Sequence, residues 1–392
     1  MRLAFATEDY VFANRPRPGF PLILNDDMTP AQPFHAYLRW RLLEKGKKLD
    51  VTTWEHYGRE LWDYASFLHA NDVVWDEPFD SEGESVVTGY RDWQAEDLKL
   101  DPTTINGRLG RVIGMYEWAM MRGMIEKMPV SYSDVMVHGI ESDFSHVTGG
   151  SRTVRTPEVL LDEWEKEPAF LIAEQMRTAR SEIRSTAQRL LFDLMGRVGL
   201  RSCEARTYPL AYVFDPAARP YLKRGTLIDV WLDPRDMKIK RKKGRTVHVP
   251  YSLMEEMHAY AQFERNRHII AGSTQDALLL TACGNAYSKA SAWKVMTDLG
   301  KRVGFPIKPL MLRHSYAIHT LLLLRANPKI ELEPLMYVRD RLGHESVQTT
   351  MVYLRQIERL LGKEALAMME EFDSLYDVTP HLRAHSAKRQ RS

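Results

Sequence analysis

Four separated stretches of this 392-residue chain each carry side chains suited to handling a phosphodiester. In Gly199-Leu200-Arg201-Ser202-Cys203-Glu204 a glycine able to end a helix precedes an arginine. Its planar fork of donors matches two phosphate oxygens, as lysine's point charge does not. The same Arg201 has a local alternative, an ion pair with Glu204. In Lys238-Ile239-Lys240-Arg241-Lys242-Lys243-Gly244-Arg245 six of eight residues are basic. This run lies between β-prone pieces and reads as a hairpin tip turning at Gly244, with Thr246-Val247-His248-Val249-Pro250 returning. Lys240, Lys243 and Arg245 there are candidate contacts to a polyanion; the plainer reading is a solvated charged loop. Leu312-Arg313-His314 opens a helix whose Ala317, Ile318 and Leu321 face inward. Finally, Leu342-Gly343-His344 is followed by Tyr353, nine residues after the histidine.

These groups need a scaffold, and the hydrophobic spacing supplies one. Phe34, Tyr37, Leu38 and Leu42, and then Tyr57, Leu61, Tyr64 and Leu68, recur at helical intervals. Another helix is expected near Val86 to Glu96. Asp101-Pro102 announces a further helix, whose stripe is Ile105, Leu109, Val112, Tyr116 and Ala119. Arg108 and Arg111 lie off that stripe and are candidate phosphate contacts or simply solvated cations. Residues 1–28, broken by Pro16, Pro18, Gly19 and Pro21, read as an irregular arm, 29–140 as a helical domain and 141–156 as a linker around Gly149-Gly150. A second domain is expected over 157–380. It opens with helices over Pro157 to Trp164 and Ser185 to Val198. Short strands follow at Tyr208 to Val213, Leu227 to Leu232 and Thr246 to Val249, with helix from Tyr251 to about Tyr376. Residues 381–392, with four Lys or Arg and no acid, read as a disordered basic tail. The fold class is therefore mainly α with a small antiparallel β-sheet.

Composition narrows the function. Of the charged residues, 15 Lys+Arg and 24 Asp+Glu fall in residues 1–150, a net of −9, leaving the remainder at +11 behind an overall +2. The longest aliphatic run, Leu321 to Leu324, is far short of the roughly 18 to 20 apolar residues of a membrane span. Glu8 and Asp9 interrupt any secretory h-region, so a cytoplasmic location is expected. Cys203 and Cys283 have no CxxC spacing, which speaks against a disulfide framework or a zinc site.

Taken together, the four stretches resemble the tyrosine recombinase, or phage integrase, family. That family's pattern is an arginine in Gly-Leu-Arg-x-x-Glu, a hairpin lysine, a His-x-x-Arg-His box, a Leu-Gly-His box and a tyrosine nine residues later. Here these positions fall on Arg201 with Glu204, Lys242, Arg313-His314, Leu342-Gly343-His344 and Tyr353. Lys242 is chosen as standing eight residues before the strand-ending Pro250, with Lys240 and Lys243 as rivals. The helical stretch from Thr104-Ile105-Asn106 through Tyr116, Trp118-Ala119 and Gly123 resembles the family's core-binding domain, and the likeness extends over about residues 30 to 365. One position departs from it: Leu310 stands where the first histidine of the His-x-x-Arg box belongs, and leucine moves no proton. His314 is expected to point about 100° away from Arg313, and so not to substitute.

The resemblance implies a site-specific recombinase or integrase that integrates or excises a mobile element. Tyr353 would attack a phosphate to give a 3′-phosphotyrosyl link and a free 5′-hydroxyl, with no ATP, metal or other cofactor. Arg201 and Arg313 would clamp the non-bridging oxygens, Lys242 would protonate the leaving oxygen, and His344 would steady the phosphate. The implied partners are double-stranded DNA recombination sites, a homo-tetramer assembled on them, and accessory recombinase or directionality proteins. The bound protein would sit at the nucleoid, and no membrane is involved. Two alternatives stay open, a type IB topoisomerase-like activity and a catalytically weak accessory subunit or repressor, the latter favoured by Leu310. Neither the target sequence nor the choice among integration, excision, inversion and resolution is encoded legibly.

Overall fold

A computed structural model describes residues 1–45, 49–79, 83–138, 151–164, 167–269, 275–327 and 332–359. The chain divides into two compact units, Met1–Glu165 and Lys166–Ser392. The architecture is mainly helical, with two-stranded antiparallel sheets, which is the expected class.

Unit one opens with strands rather than an irregular arm. β1 (Arg2–Phe5) pairs antiparallel with β4 (Pro21–Leu24), and β2 (Val11–Phe12) pairs with β3 (Arg15–Pro16). Of the prolines that suggested an irregular arm, Pro16 and Pro21 stand at strand ends, where a missing N–H is tolerated, and Pro18 lies in the turn between those strands. Ala13 and Asn14 turn the small hairpin with positive φ. Phe20 and Ile23 are fully buried, which ties the ribbon to the unit's core. Four helices follow: α1 (Phe34–Arg39), continued by a π-helical turn Trp40–Glu44, then α2 (Val51–Ala70), α3 (Val86–Glu96) and α4 (Pro102–Met121). Asp50 and Asp101 cap α2 and α4 by accepting from Thr52 N at 2.9 Å and Thr103 N at 3.1 Å, and Pro102 takes the first turn of α4. The expected stripes are the buried ones, meeting at Leu61, Tyr64, Leu109 and Tyr116.

The linker assignment needs correction. β5 (Tyr132–His138) pairs with β6 (Ser151–Pro157), so residues 151–156 are strand, while 141–150 lie outside the described residues. Residues 157–164 are not helical either. Asn106 of α4 fastens them, its Nδ2 donating to Leu161 O at 2.8 Å and its Oδ1 accepting from Leu161 N at 2.9 Å. Val159 is buried in the core of unit one, so this piece packs there instead of opening the second domain.

Unit two contains α5 (Ala173–Ser181), α6 (Thr186–Gly196), α7 (Ser202–Arg206), the hairpin β7 (Leu227–Leu232) and β8 (Arg245–Pro250), then α8 (Tyr251–Phe263), α9 (Lys289–Val303), α10 (Pro309–Arg325) and α11 (Pro334–Leu342). A last helix, α12, spans 348–359. β7 and β8 pair in register from Leu227 opposite Pro250 to Leu232 opposite Arg245, with β7 alternating exposed and buried side chains and β8 buried and half-buried ones. The expected strand at 208–213 is instead a 3-10 turn, Leu210–Tyr212. Tyr208, fully buried, and Leu210 bond to the 276–278 segment, which leaves no third strand beside β7. The helical reading after Tyr251 is broken by an irregular 275–288, and 360–392, including the expected tail, lie outside the described residues. The main core gathers α6, α8, α9 and the inner faces of the hairpin. A smaller cluster joins Tyr316, Ala317, Ile318 and Leu321 of α10 to Val338 and Leu342 of α11 and to Tyr353 and Ile357 of α12. Among the described residues no helix is long and apolar enough to cross a membrane.

Candidate functional site in the second unit

The site is built around one buried carboxylate. Gly199 has φ +75° and lies so close to the Tyr316 ring that a Cβ would collide with it. The chain turns there and presents Arg201 at the start of α7. Glu204, fully buried, accepts from Arg201 N at 2.8 Å and from Arg201 Nη1 at 3.2 Å. It also accepts from both terminal nitrogens of Arg245, and Arg313 Nη1 stands 3.9 Å away. Burial would raise the pKa of Glu204, but hydrogen bonds and charge from Arg245, followed by the charge of Arg313, bring it below the usual carboxylate value. Three guanidiniums thus share one anion, and an unneutralised positive field remains.

Arg313 comes from the first turns of α10. Pro309 begins that helix and Leu310 projects outward, 59% exposed. Arg313 is buried and donates to Gly199 O at 2.6 Å and to Leu342 O. Burial, then the charge of Arg201, pulls its pKa down to about 9, so at neutral pH it remains a cation. The second carbonyl belongs to the end of α11, where Gly343 takes φ +63°; a Cβ there would press on the Arg245 side chain. His344 follows at once, its Nδ1 lying 2.9 Å from Thr350 Oγ1. Arg201, Arg313 and His344 therefore meet through the backbone of the glycine turns as well as by their side chains.

Tyr353 projects from α12 into the same region and is 3% exposed. Its hydroxyl lies 2.8 Å from His314 Nδ1, and its ring stacks on that of His344 at 6.2 Å and 22°. Burial raises the pKa of the phenol, against the lowering charges of Arg313 and Arg201. Burial and Arg313 push His314 down to about 4, and burial with Arg313 and Arg201 pushes His344 down to about 3. Both imidazoles are neutral at neutral pH. His314, expected to point away from Arg313 and so not to substitute at the missing histidine position, does point away from Arg313 and lies against the Tyr353 hydroxyl. The turn of about 100° from Arg313 is the direction in which α12 packs. The sequence carried the signal, since His314, Ala317, Ile318 and Leu321 form one stripe at spacings of three and four, the stripe that buries Tyr353.

Beside these groups opens a cleft of about 510 Å³ whose lining includes Arg201, Lys240, Arg241, Lys243, His344 and Glu345. Lys242 is exposed and is not part of that lining, whereas both of its rivals are. The cause is local: Arg241 and Lys242 have φ of +62° and +53°, which reverses the chain at the tip. Arg241 pairs with Glu345 across the cleft. Arg245, expected to contact a polyanion, is turned inward, 8% exposed, because Glu204 holds it and Arg341 O accepts its Nε. Arg108 and Arg111, in unit one, are also engaged within the fold. Arg108 pairs with Asp63 at 2.6 Å, and Arg111 with Glu60 at 3.0 Å, since α2 presents acids opposite that face of α4. An anion entering the cleft would meet arginine forks, lysines and a neutral imidazole.

Comparison with known proteins agrees with this arrangement. Residues 171–359 match the phage integrase family. Tyrosine recombinase XerD of Mycobacterium tuberculosis is 32% identical over 167 residues, 42% of this chain and 46% of the relative. Tyrosine recombinase XerA of Pyrococcus furiosus is 28% identical over 141 residues, 35% and 43% of the two chains. The matched region thus spans less than half the length of these curated relatives. In fold, the chain is similar to XerH site-specific recombinase bound to a palindromic difH substrate in a post-cleavage complex (TM-score 0.54, 16% identity, 82% of this chain and 80% of the other). It is also similar to a lambda integrase dimer bound to a COC′ core site (TM-score 0.52, 12% identity, 82% and 94%).

Proposed function

Residues 171–359 being a phage integrase family domain, we propose that this chain is a site-specific tyrosine recombinase that cuts and rejoins double-stranded DNA through a 3′-phosphotyrosyl intermediate. The observation that carries this is the convergence, from three distant stretches, of Arg201 and Arg313 on one buried carboxylate with His344 and Tyr353 close by, beside a cleft lined with cations. Tyr353 is the nucleophile. Arg201 and Arg313 stabilise the charge that develops on the non-bridging oxygens, an effect of several kcal/mol in comparable electrostatic sites. His344 donates a hydrogen bond to the phosphate. The proton for the leaving 5′-oxygen comes from a hairpin lysine, and the cleft supports Lys240 or Lys243 in that role over Lys242. Integration or excision of a mobile element is the setting this chemistry serves, with the chain assembling as a homo-tetramer on paired sites at the nucleoid, where accessory recombinase or directionality proteins can join it.

The experiment is covalent trapping on nicked suicide DNA taken from the flanks of the element. The expected result is an SDS-resistant adduct that disappears in Tyr353→Phe. An outward Leu310, with no proton to give, favours the rival reading of a non-catalytic accessory subunit or repressor. Absence of an adduct on DNA that the protein binds would select that rival.

A further inference from the structure

We propose that His314 is the base that accepts the phenolic proton of Tyr353, taking the task left vacant by Leu310. This rests on the strand-transfer reading above and adds to it a proton acceptor that the resemblance does not supply. The geometry is direct: His314 Nδ1 lies 2.8 Å from Tyr353 Oη, within the reach that general-base catalysis requires. Leu310 is apolar and faces outward. His344 stacks on the phenol, but its Nδ1 is held by Thr350 Oγ1. Arg201 and Arg313 are cations, unable to accept a proton. Among the described groups around the hydroxyl, His314 therefore has the available lone pair.

Protonation states fit this direction of transfer. The groups facing His314 are Tyr353 on α12, His344 on the turn before α12, and Arg313 beside it on α10. Burial and Arg313 keep His314 neutral while burial keeps Tyr353 protonated, so the hydroxyl donates and Nδ1 accepts, leaving the imidazole proton on Nε2. A weakly basic imidazole suffices because the phenolic proton becomes acidic only as the new bond forms. In that step an electron pair on Tyr353 Oη forms the bond to phosphorus and the proton passes from Oη to Nδ1. The P–O5′ bond breaks and the 5′-oxygen takes a proton from the hairpin lysine. The imidazolium so formed lies near the phosphorane's negative charge, and rejoining runs the same transfers backwards.

The test is single-turnover cleavage of a suicide substrate by wild type and His314→Asn, each also on a substrate with sulfur at the bridging 5′ position, which leaves without being protonated. The variant is expected to cleave about 100-fold more slowly, the lower end of the range for loss of a general base, with DNA affinity unchanged within about twofold. The sulfur substrate should not restore it. Cleavage by His314→Asn at the wild-type rate, or its rescue by the sulfur substrate, would overturn the assignment while leaving the recombinase reading intact. A wild type that binds the DNA and forms no adduct would remove both. Should His314→Asn fold poorly, nitrogen NMR of the wild-type histidines decides. The expected spectrum has an unprotonated Nδ1 on His314 whose shift moves in Tyr353→Phe, and a protonated Nδ1 would overturn the proposal.

Discussion

Arg245 closes both terminal nitrogens on the carboxylate of Glu204, at 2.9 and 2.7 Å, and the pair is almost wholly removed from solvent. The last cation of the basic run is therefore a strut for the site. Removing one member leaves the other as an uncompensated buried charge, at a cost of roughly 3–5 kcal/mol. Glu204→Gln is accordingly expected to lower the stability of unit two by about that amount in urea denaturation. The folded carboxyl titrates below its unfolded value of 4.5. Its contribution is then complete above that pH and drains away as the pH falls through the lower folded value. A wild-type acid transition that moves in Glu204→Gln would check the sign.

The hairpin lysines are separable by substrate chemistry. Lys240→Ala combined with Lys243→Ala is expected to slow cleavage of ordinary DNA by about 100-fold and to recover on the 5′-sulfur substrate, the behaviour of a lost general acid. Lys242→Ala should stay near the wild-type rate, because that side chain is not in the cleft lining. Equal loss in both variants would reinstate Lys242.

Two carboxylates stand in the cleft lining, Asp340, paired with Arg339, and Glu345, paired with Arg241 at the hairpin tip; Glu345 is the one that occupies a cation of the cleft. DNA must compete with it for that guanidinium. Glu345→Gln should tighten non-specific DNA binding several-fold at low salt, with a steeper dependence on salt as one more cation becomes free to displace counterions. Filter binding or anisotropy across a salt series measures both.

A polar chain fastens the hairpin to the helix before His344. Asp229 Oδ1 lies 3.1 Å from His248 Nε2, and His248 Nδ1 lies 2.6 Å from Tyr337 Oη on α11. Arg341 Nη1 adds a bond to Thr246 O at 2.9 Å. Tyr337→Phe deletes one hydrogen bond at constant shape, so about 1 kcal/mol of stability should be lost. Hydrogen exchange should quicken in both β8 and residues 334–342. Faster exchange in α11 alone would show that the two are not coupled.

The helical stripes, the hairpin and the reactive residue types were legible because each depends on short-range spacing. Leu109 and Tyr116 fell on a buried face for that reason. What escaped depends on partners far along the chain. Arg108 could not be told from a phosphate contact without Asp63, 45 residues earlier, nor Arg245 without Glu204, 41 residues earlier. Pro21 looks like a breaker because the strand that places it at an end pairs with Arg2–Phe5, some twenty residues earlier. The contact of His314 with Tyr353 is hidden for another reason: it follows from the stripe His314 shares with Ala317, Ile318 and Leu321, not from its angle to Arg313.

Tyr353 is also a member of the small apolar cluster formed by α10, α11 and α12. If the ring loosens against α10 and α11 while its hydroxyl keeps the His314 contact, each turnover begins with a local opening of that cluster. Cleavage would then show a steep rise with warming and a disproportionate slowing in the cold, as opening of packed segments does. On the proposed function, chilling should leave protein bound to DNA that is still uncut, which a gel-shift beside the covalent-trapping assay would measure.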